Sequence, residues 1–369
     1  MAKCHDNLFG QIATFSSLRM AARKAIRGKR RKPGAAAFQF GLERELLKLE
    51  RELNDQTWRP GRYIEIELFD PKHRIVSAAP FRDRVVHHAL MNVAGPIFEA
   101  GFIPNTFANR VGKGTHRAVE VYERYRDRAN HVLRCDLYRF FPSIDHQAMK
   151  ADLRRRVRCE RTLWLLDAII DGSNAQEPVH LHFPGDDLLT PLERRRGLPI
   201  GNLTSQWFAN IHLDGLDHFC TEVLRAPYLR YVDDFALFAS SQSQLIEWQD
   251  RLAAFLSVKR LKLHPRKTVI LPTNTPAEFL GYVLHGSGRR SLPEVNVKRF
   301  KGRLKGMVHA VQAGALDRAD AAQRIDSWSA HASHAQTRAL KRALLGRARR
   351  AMRHRPPGPG PDRPLAQTV

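Results

Sequence analysis

The sequence predicts a mixed fold of class α+β or α/β, because short runs of β-forming residues alternate with helical periodicities along most of the chain. The chain has 369 residues, of which 43% are hydrophobic, and is long enough for two or three domains with cores of their own. It carries 61 Lys and Arg against 37 Asp and Glu, which leaves a formal net charge of +24. In a soluble protein this excess of positive charge indicates a polyanionic partner, most often nucleic acid.

Neither a membrane protein nor a secreted one is indicated by the sequence. No run of about 18 apolar residues occurs, and the N-terminal stretch MAKCHDNLFGQ lacks the zones of a signal peptide. We therefore expect a cytoplasmic protein that does not bind a membrane. The four cysteines form no Cys-x-x-Cys pair, which predicts reduced thiols rather than a disulfide framework or a zinc module.

The first third of the chain is predicted to be helical with one hairpin. Dense Lys and Arg over 18–32, closed by Pro33-Gly34, predict a basic helix that is either a solvated face or a contact for RNA or an acidic partner. Apolar residues at spacings of three and four predict a core helix over 35–53. Alternation on both sides of Asp70-Pro71 predicts a β-hairpin over 63–75. Further helices are predicted over 83–100 and 116–130.

The rest of the chain is predicted to alternate strands and helices before a basic helical region. A buried strand is expected over 131–135, and Gly, Pro, Asp and Asn predict a long loop or insertion over 171–198. A helix from Thr204 is expected to bury Phe208, Ile211, Leu216, Phe219 and Val223 on one side. The elements predicted next are a strand pair over 228–239, a helix over 243–257, short strands at 267–271 and 279–285, and basic helices over 294–352. The Pro/Gly tail is predicted to be disordered.

Two adjacent aspartates interrupt the strand pair predicted over 228–239. In the stretch RYVDDFALFA, Asp233 and Asp234 stand where a tight turn tolerates polar groups, so we expect them to be exposed at a hairpin tip. Like charges side by side repel, and either a raised pKa or a bound cation relieves that repulsion. Mg²⁺ suits such carboxylates, since it is held by a few of them together with substrate phosphates. An ordinary Asp-Asp turn is the alternative interpretation.

A third carboxylate favours a metal site over an ordinary turn. Asp136 follows the apolar run His131–Cys135, at a strand end from which its side chain can reach a neighbouring hairpin of the same sheet. Two metal ions about 3.5–4 Å apart need bridging carboxylates and a further ligand to activate a 3′-hydroxyl and stabilise a pyrophosphate leaving group. With the basic composition, the three aspartates make nucleotide polymerisation the leading hypothesis. A non-catalytic RNA-binding protein would explain the charge but not three carboxylates placed together near phosphates.

Seven stretches, taken in order, resemble the motifs of prokaryotic reverse transcriptases. Two of them are similar to fingers motifs, and the other five to palm motifs that include the first aspartate, the nucleotide-binding motif and the catalytic YVDD hairpin. The stretches are 72–86, 102–116, 135–146, 197–210, 231–234, 263–268 and 278–282. Each alone is weak evidence, but their order makes the resemblance specific.

The resemblance implies an α+β right-hand polymerase. Fingers are expected over 1–130, a palm with an antiparallel sheet over 131–290, a basic helical thumb over 291–352 that grips a duplex by its backbone, and a disordered tail over 353–369. The cofactors implied are two Mg²⁺ ions, with Mn²⁺ as a substitute. The implied partners are a template RNA, a primer strand, the RNA/DNA duplex and deoxynucleoside triphosphates, and a small accessory protein is a further candidate.

The resemblance also implies roles for single residues. Asp136, Asp233 and, less tightly, Asp234 would hold the metal ions, with the Leu137 carbonyl completing one shell. Phe141 would be the steric gate against a ribose 2′-hydroxyl, or else a core aromatic beside Phe140. The other residues with implied roles are Lys72 and Arg74 on the triphosphate, Ile200, Gly201 and Gln206 in the nucleotide-binding motif, Lys267 as the acid for pyrophosphate or a plain surface lysine, and Phe279, Leu280 and Gly281 as the primer grip.

One motif points to a subclass. The stretch IGNLTSQ over 200–206 has Ile where most relatives have Gln, and in this it resembles the reverse transcriptases of diversity-generating retroelements, which copy RNA with errors at adenines. A Gln can hydrogen-bond the incoming nucleotide, whereas Ile200 offers only contact, so lower fidelity is the hypothesis. Enzymes of antiphage defence, retrons or group II introns are the alternatives within the same family.

Overall fold

The computed structural model describes residues 4–69, 73–174 and 176–353, which form two compact units that meet in the sequence between Leu271 and Pro272. The strand pairs β1–β2, β3–β5, β4–β5, β7–β8 and β8–β9, whose bounds are given below, are all antiparallel, so the class is α+β. Lys72 and the tail predicted beyond residue 353 lie outside the described residues. The predicted boundaries of fingers, palm and thumb stay predictions.

The helices of the first unit are α1 (Phe9–Ile12), α2 (Phe15–Ile26), α3 (Pro33–Phe40), α4 (Leu42–Asn54), α5 (Phe81–Glu99), α6 (Thr115–Arg126), α7 (Phe140–Ser143), α8 (His146–Arg154), α9 (Glu160–Asp171), α10 (Thr190–Glu193), α11 (Leu203–His218), which a π-helical turn (Phe219–Val223) continues, and α12 (Gln242–Val258). The strands are β1 (Ile64–Leu68), β2 (Arg74–Ala78), β3 (His131–Cys135), β4 (Tyr228–Tyr231), β5 (Asp234–Ala239) and β6 (Val269–Pro272). Strands β1 and β2 form a hairpin, and the larger sheet has the order β4-β5-β3-β6.

The larger sheet lies in the hydrophobic core. Strand β5 is buried along its whole length after Asp234, because its residues are apolar on both faces. Helix α12 packs on β3 and β5, and its buried residues recur every three or four positions at Leu245, Trp248, Leu252 and Leu256. The sheet is therefore a rigid support for the residues at its ends.

Most predicted elements are present, and three details of the predicted helices are wrong. The basic helix ends at Ile26 rather than residue 32, because Gly28 takes a left-handed backbone with φ 71°. The helix predicted over 35–53 is two helices separated at Gly41. Val223 is 55% exposed, because the π-helical turn after α11 shifts the phase of the side chains. The four cysteines are free thiols, as predicted.

The second unit has a small sheet and three helices. Its elements are β7 (Ala277–Phe279), β8 (Tyr282–Leu284), a 3₁₀ turn (Gly286–Gly288), β9 (Arg290–Ser291), α13 (Glu294–Gln312), α14 (Arg318–Ala332) and α15 (Arg338–Arg353). Its helices share a core of their own around Phe300, Leu304 and Ile325, where the rings of Phe300 and Trp328 stack with centroids 3.7 Å apart. The basic helices predicted over 294–352 are thus present. None of the described helices is long and apolar enough to cross a membrane.

Candidate active site

Three aspartates meet at one end of the larger sheet. Cys135 of β3 pairs with Phe235 of β5 in antiparallel register, so Asp136, one residue beyond β3, falls beside Asp234, one residue before Phe235. Tyr231 of β4 pairs with Asp234, which leaves Val232 and Asp233 as the turn of the hairpin. The structure thus brings together Asp136, Asp233 and Asp234, as the sequence predicted.

The carboxylates of the hairpin are half-buried, so the expectation of exposed carboxylates at its tip is wrong. The turn of the hairpin is half-buried because Val232 packs against the hydrophobic core. Burial raises the pKa of Asp234 to about 7, and the negative charges of Asp233 and Asp136 add to the shift. Burial also raises the pKa of Asp233, with a contribution from Asp136. The fold therefore holds the three carboxylates close enough to repel one another.

Lys267 is a cation in direct contact with this group of aspartates. Its Nζ donates to Oδ2 of Asp136 at 2.7 Å, and its positive charge lowers the pKa of Asp233 and Asp234. The backbone N–H of His264 donates to the carbonyl of Asp136 at 2.7 Å, which fixes the segment before Lys267 alongside the aspartate. Leu137 is buried, and its backbone bridges to Leu263. Within the described ranges, no group of three or more His, Cys, Asp or Glu is already arranged to hold a metal ion.

A cavity of about 600 Å³ lies between the β1–β2 hairpin and the motif at 200–206, and its lining includes Arg74, Ser77, Pro142, Gln176 and Ile200. Arg74 is exposed at the start of β2, and its positive charge lowers the pKa of Asp233. Phe141 is half-buried, with its ring edge-on to that of Phe140 at 5.4 Å. The structure thus brings two of the predicted substrate-binding residues, Arg74 and Ile200, to one cavity.

The 200–206 motif is docked on β2 by its backbone. Ser77 N–H donates to the carbonyl of Ile200 at 2.9 Å. Gly201 has φ 109°, and a Cβ there would lie 2.6 Å from Cγ1 of Val76, so only glycine fits without a shift of its neighbours. Gln206 is half-buried in the first turn of α11.

Asn202 is a residue of this motif that sequence reasoning missed. Its side chain is buried, accepts from the N–H of Ala79 at 3.1 Å and donates to the carbonyl of Ser77 at 2.9 Å. It therefore ties the start of α11 to the end of β2. A polar residue directly after an obligatory glycine was the available signal.

A buried ion pair beneath the hairpin was also missed. The guanidinium of Arg230 binds both carboxylate oxygens of Asp217 at 2.7 and 2.6 Å, and both side chains are 0% exposed. Burial lowers the pKa of the Arg230 guanidinium. The negative charge of Asp217 outweighs this effect, so the pKa of Arg230 lies above its usual range. Thr106 and Tyr228 donate their hydroxyls to the same carboxylate. The pair is thus a fully bonded buried charge cluster.

Replacement of Asp214, a neighbour of this cluster in α11, is expected to stabilise the protein in a pH-dependent way. Burial raises the pKa of Asp214 to about 6, although His218 and Arg156 oppose the shift, and its Oδ1 has no hydrogen-bond partner. The folded state thus prefers the neutral acid, a contribution present below the unfolded pKa of 3.8 and lost as pH rises through about 6. Asp214→Asn should raise the free energy of unfolding by up to about 3 kcal/mol at pH 7.5 and by clearly less at pH 4.5. Urea unfolding at both pH values measures this, and an equal change at both would contradict it.

The predicted primer grip belongs to the second unit. Phe279 is buried at the end of β7, and Leu280 and Gly281 form the turn to β8 with φ 48° and 86°. The sequence predicted one strand over 279–285, and the structure has this hairpin instead, because two consecutive positive φ values reverse the chain. The role of these three residues stays a prediction.

An antiparallel sheet with helices packed on it and three aspartates at one end defines the palm of a right-hand polymerase. The model of the family "Reverse transcriptase (RNA-dependent DNA polymerase)" matches residues 69–284, more than half of the chain. The chain belongs to this family. The match confirms the predicted fold class and the predicted enzyme class, an RNA-directed DNA polymerase.

The chain is also similar to one curated protein and to one solved structure. Protein YkfC of Escherichia coli (strain K12) is 24% identical over 325 residues, which cover 74% of this chain and 82% of YkfC. A solved structure of apo telomerase from Candida tropicalis, truncated from its C-terminal domain, aligns with a TM-score of 0.46 at 12% identity. That alignment covers 63% of this chain and 55% of the telomerase chain.

Proposed function

We propose that the protein extends the 3′-hydroxyl of a primer with deoxynucleotides on an RNA template, as the error-prone polymerase of a diversity-generating retroelement in the cytoplasm. The observation that carries the proposal is the meeting of Asp136, Asp233 and Asp234 at one end of the sheet, with Lys267 and Arg74 beside them. Three carboxylates with two cations beside them, of which Arg74 also lines the cavity, suit the handling of a triphosphate.

The donor set fits magnesium. Burial and the neighbouring carboxylates raise the pKa of Asp233 and Asp234. The three aspartates are hard oxygen donors placed close together, and a divalent cation would relieve their repulsion. Asp136, Asp233 and Asp234 would hold two Mg²⁺ ions, or Mn²⁺, with the carbonyl of Leu137. When bound, the metal ions supply activation of the 3′-hydroxyl and charge stabilisation at the leaving pyrophosphate.

The other residues bind and orient the nucleotide. Arg74, at the cavity, would neutralise the triphosphate together with Lys72, which lies outside the described residues. Phe141 would stand against the sugar and exclude a 2′-hydroxyl. Ile200, Gly201 and Gln206 would border the base pair. The basic helices α13 and α15 would bind the phosphates of the template–primer duplex through its backbone, and a small accessory protein is a candidate for further contacts.

Primer extension tests the proposal. Purified protein would be given an annealed RNA template and DNA primer, Mg²⁺ and all four deoxynucleoside triphosphates, with the double variant Asp233→Ala/Asp234→Ala in parallel. Extension by the wild type alone supports the proposal. A wild type that binds the duplex but adds no nucleotide, with Mg²⁺ or with Mn²⁺, would contradict it in favour of an RNA-binding role.

The error rate tests the retroelement subclass. Ile200 lines the nucleotide cavity without a hydrogen-bonding side chain, so mispaired nucleotides should be rejected weakly. Ile200→Gln is expected to lower misincorporation opposite adenine by about tenfold, in line with a gain of roughly 1–2 kcal/mol in discrimination. Sequencing of the extension products measures both proteins. Equal accuracy of the two would remove the support for error-prone copying and leave the polymerase itself untouched.

A further inference from the structure

The buried ion pair contacts the turn of the catalytic hairpin through a hydrogen bond of Arg230, which lies in strand β4 of the same hairpin. Nη1 of Arg230 donates to the carbonyl of Val232 at 2.9 Å, and also to Oδ1 of Asn210 at 3.1 Å. The remaining nitrogens of the guanidinium are engaged by Asp217. The fork of Arg230 therefore links helix α11 to the turn that carries Asp233.

The turn adopts a backbone that needs such support. Val232 has φ 58°, a left-handed conformation that is unfavourable for a β-branched residue. Asp233 follows directly, so the direction of its carboxylate depends on how the turn at Val232 is held. A strained residue beside proposed metal ligands persists only where its surroundings fix it.

Hydrogen bonds from neighbouring side chains hold the ion pair in place. Asp217 accepts hydroxyl hydrogen bonds from Thr106 at 2.9 Å and from Tyr228 at 2.7 Å. The amide of Asn210 donates to the carbonyl of Ala108 at 3.0 Å. Because these groups are buried and each guanidinium nitrogen has a partner, the guanidinium is held in one orientation.

We propose that Arg230 is a positioning residue for the metal-binding end of the sheet: its guanidinium, oriented by Asp217, holds the Val232 carbonyl and thereby the carboxylate of Asp233. The inference rests on the proposed function, since it concerns the same metal ligands. An ordinary buried ion pair would contribute to stability alone, whereas this one also sets the affinity for the metal.

Direct metal binding separates the two roles. Mn²⁺ titrations followed by electron paramagnetic resonance would compare the full-length wild type with Arg230→Lys, which keeps a charge beside Asp217 but loses the planar fork. The paired variant Asp217→Leu/Arg230→Met removes both charges at once, so no buried charge is left without a partner, and thermal melting checks that it keeps its fold. Ser241→Ala is the matched control, because it removes the N-cap hydrogen bond of α12 without touching Asp217 or the turn.

Arg230→Lys and the paired variant are expected to bind Mn²⁺ about tenfold or more weakly, as is typical when a group behind a metal ligand is lost. Primer extension should fall in kcat with little change in KM for the nucleotide. Ser241→Ala should melt at a lower temperature yet bind Mn²⁺ like the wild type. The inference is overturned if either of the first two binds Mn²⁺ like the wild type, or if Ser241→Ala loses as much affinity. A wild type that binds no Mn²⁺ would instead overturn the proposed function.

Discussion

Asp233→Asn is expected to reduce primer extension at least about a thousandfold without destabilising the protein. The substitution removes one of the three carboxylates that we propose hold the metal ions, and a loss of about 4 kcal/mol of transition-state stabilisation corresponds to that factor. The free energy of unfolding should rise instead, because burial and Asp136 raise the pKa of Asp233. A group of this kind stabilises the fold at low pH and ceases to do so as pH rises through its folded pKa. At pH 8, Asn therefore removes an unfavourable charge.

The two effects are measured separately. Single-turnover extension gives the rate, and thermal melting at pH 8 without divalent ions gives the stability. Ser241→Ala, which removes the N-cap of α12 away from the aspartates, is the matched control, since it should lower the melting temperature and keep the rate. A melting temperature of Asp233→Asn below that of the wild type would contradict the expected stability, and a control that loses its rate as well would attribute the lost rate to misfolding.

The placement of the three aspartates could be predicted because it depends on local rules. Strand-forming residues on both sides of Asp233 specify a hairpin, and an apolar run before Asp136 specifies a strand end. Alternating elements specify a mixed sheet that can bring the two together. The register Cys135 to Phe235 then completes the site. Burial of the turn could not be read in the same way, because it depends on Val232 packing into a core assembled from distant segments.

The partners of the residues that support the site could not be predicted, because the tertiary fold decides which polar groups meet. Arg230 of β4 pairs with Asp217 of α11, and Asn202 binds the backbone of Ser77 and Ala79 from more than a hundred positions away. In the sequence both are ordinary polar residues among many. The tertiary fold alone supplies the pairing that makes burial of such groups tolerable.

Lys267→Met is expected to slow primer extension by about a hundredfold to ten-thousandfold, the range for loss of a general acid. The Nζ of Lys267 contacts Asp136 at 2.7 Å, so the lysine is placed at the carboxylates where the pyrophosphate would leave. Two roles fit this contact. Lys267 either donates a proton to the leaving group or only neutralises Asp136, and the sequence left it as either a catalytic or a surface residue.

Lys267→Arg distinguishes the two roles, because arginine keeps the charge but does not release a proton at accessible pH. If neutralisation were the whole role, arginine would restore the rate of the methionine variant nearly to that of the wild type. A proton donor predicts that arginine stays about as slow as methionine. Single-turnover rates of nucleotide addition by the wild type and both variants measure this. Recovery with arginine would therefore assign Lys267 to the electrostatics of Asp136, and its failure would assign it to proton transfer.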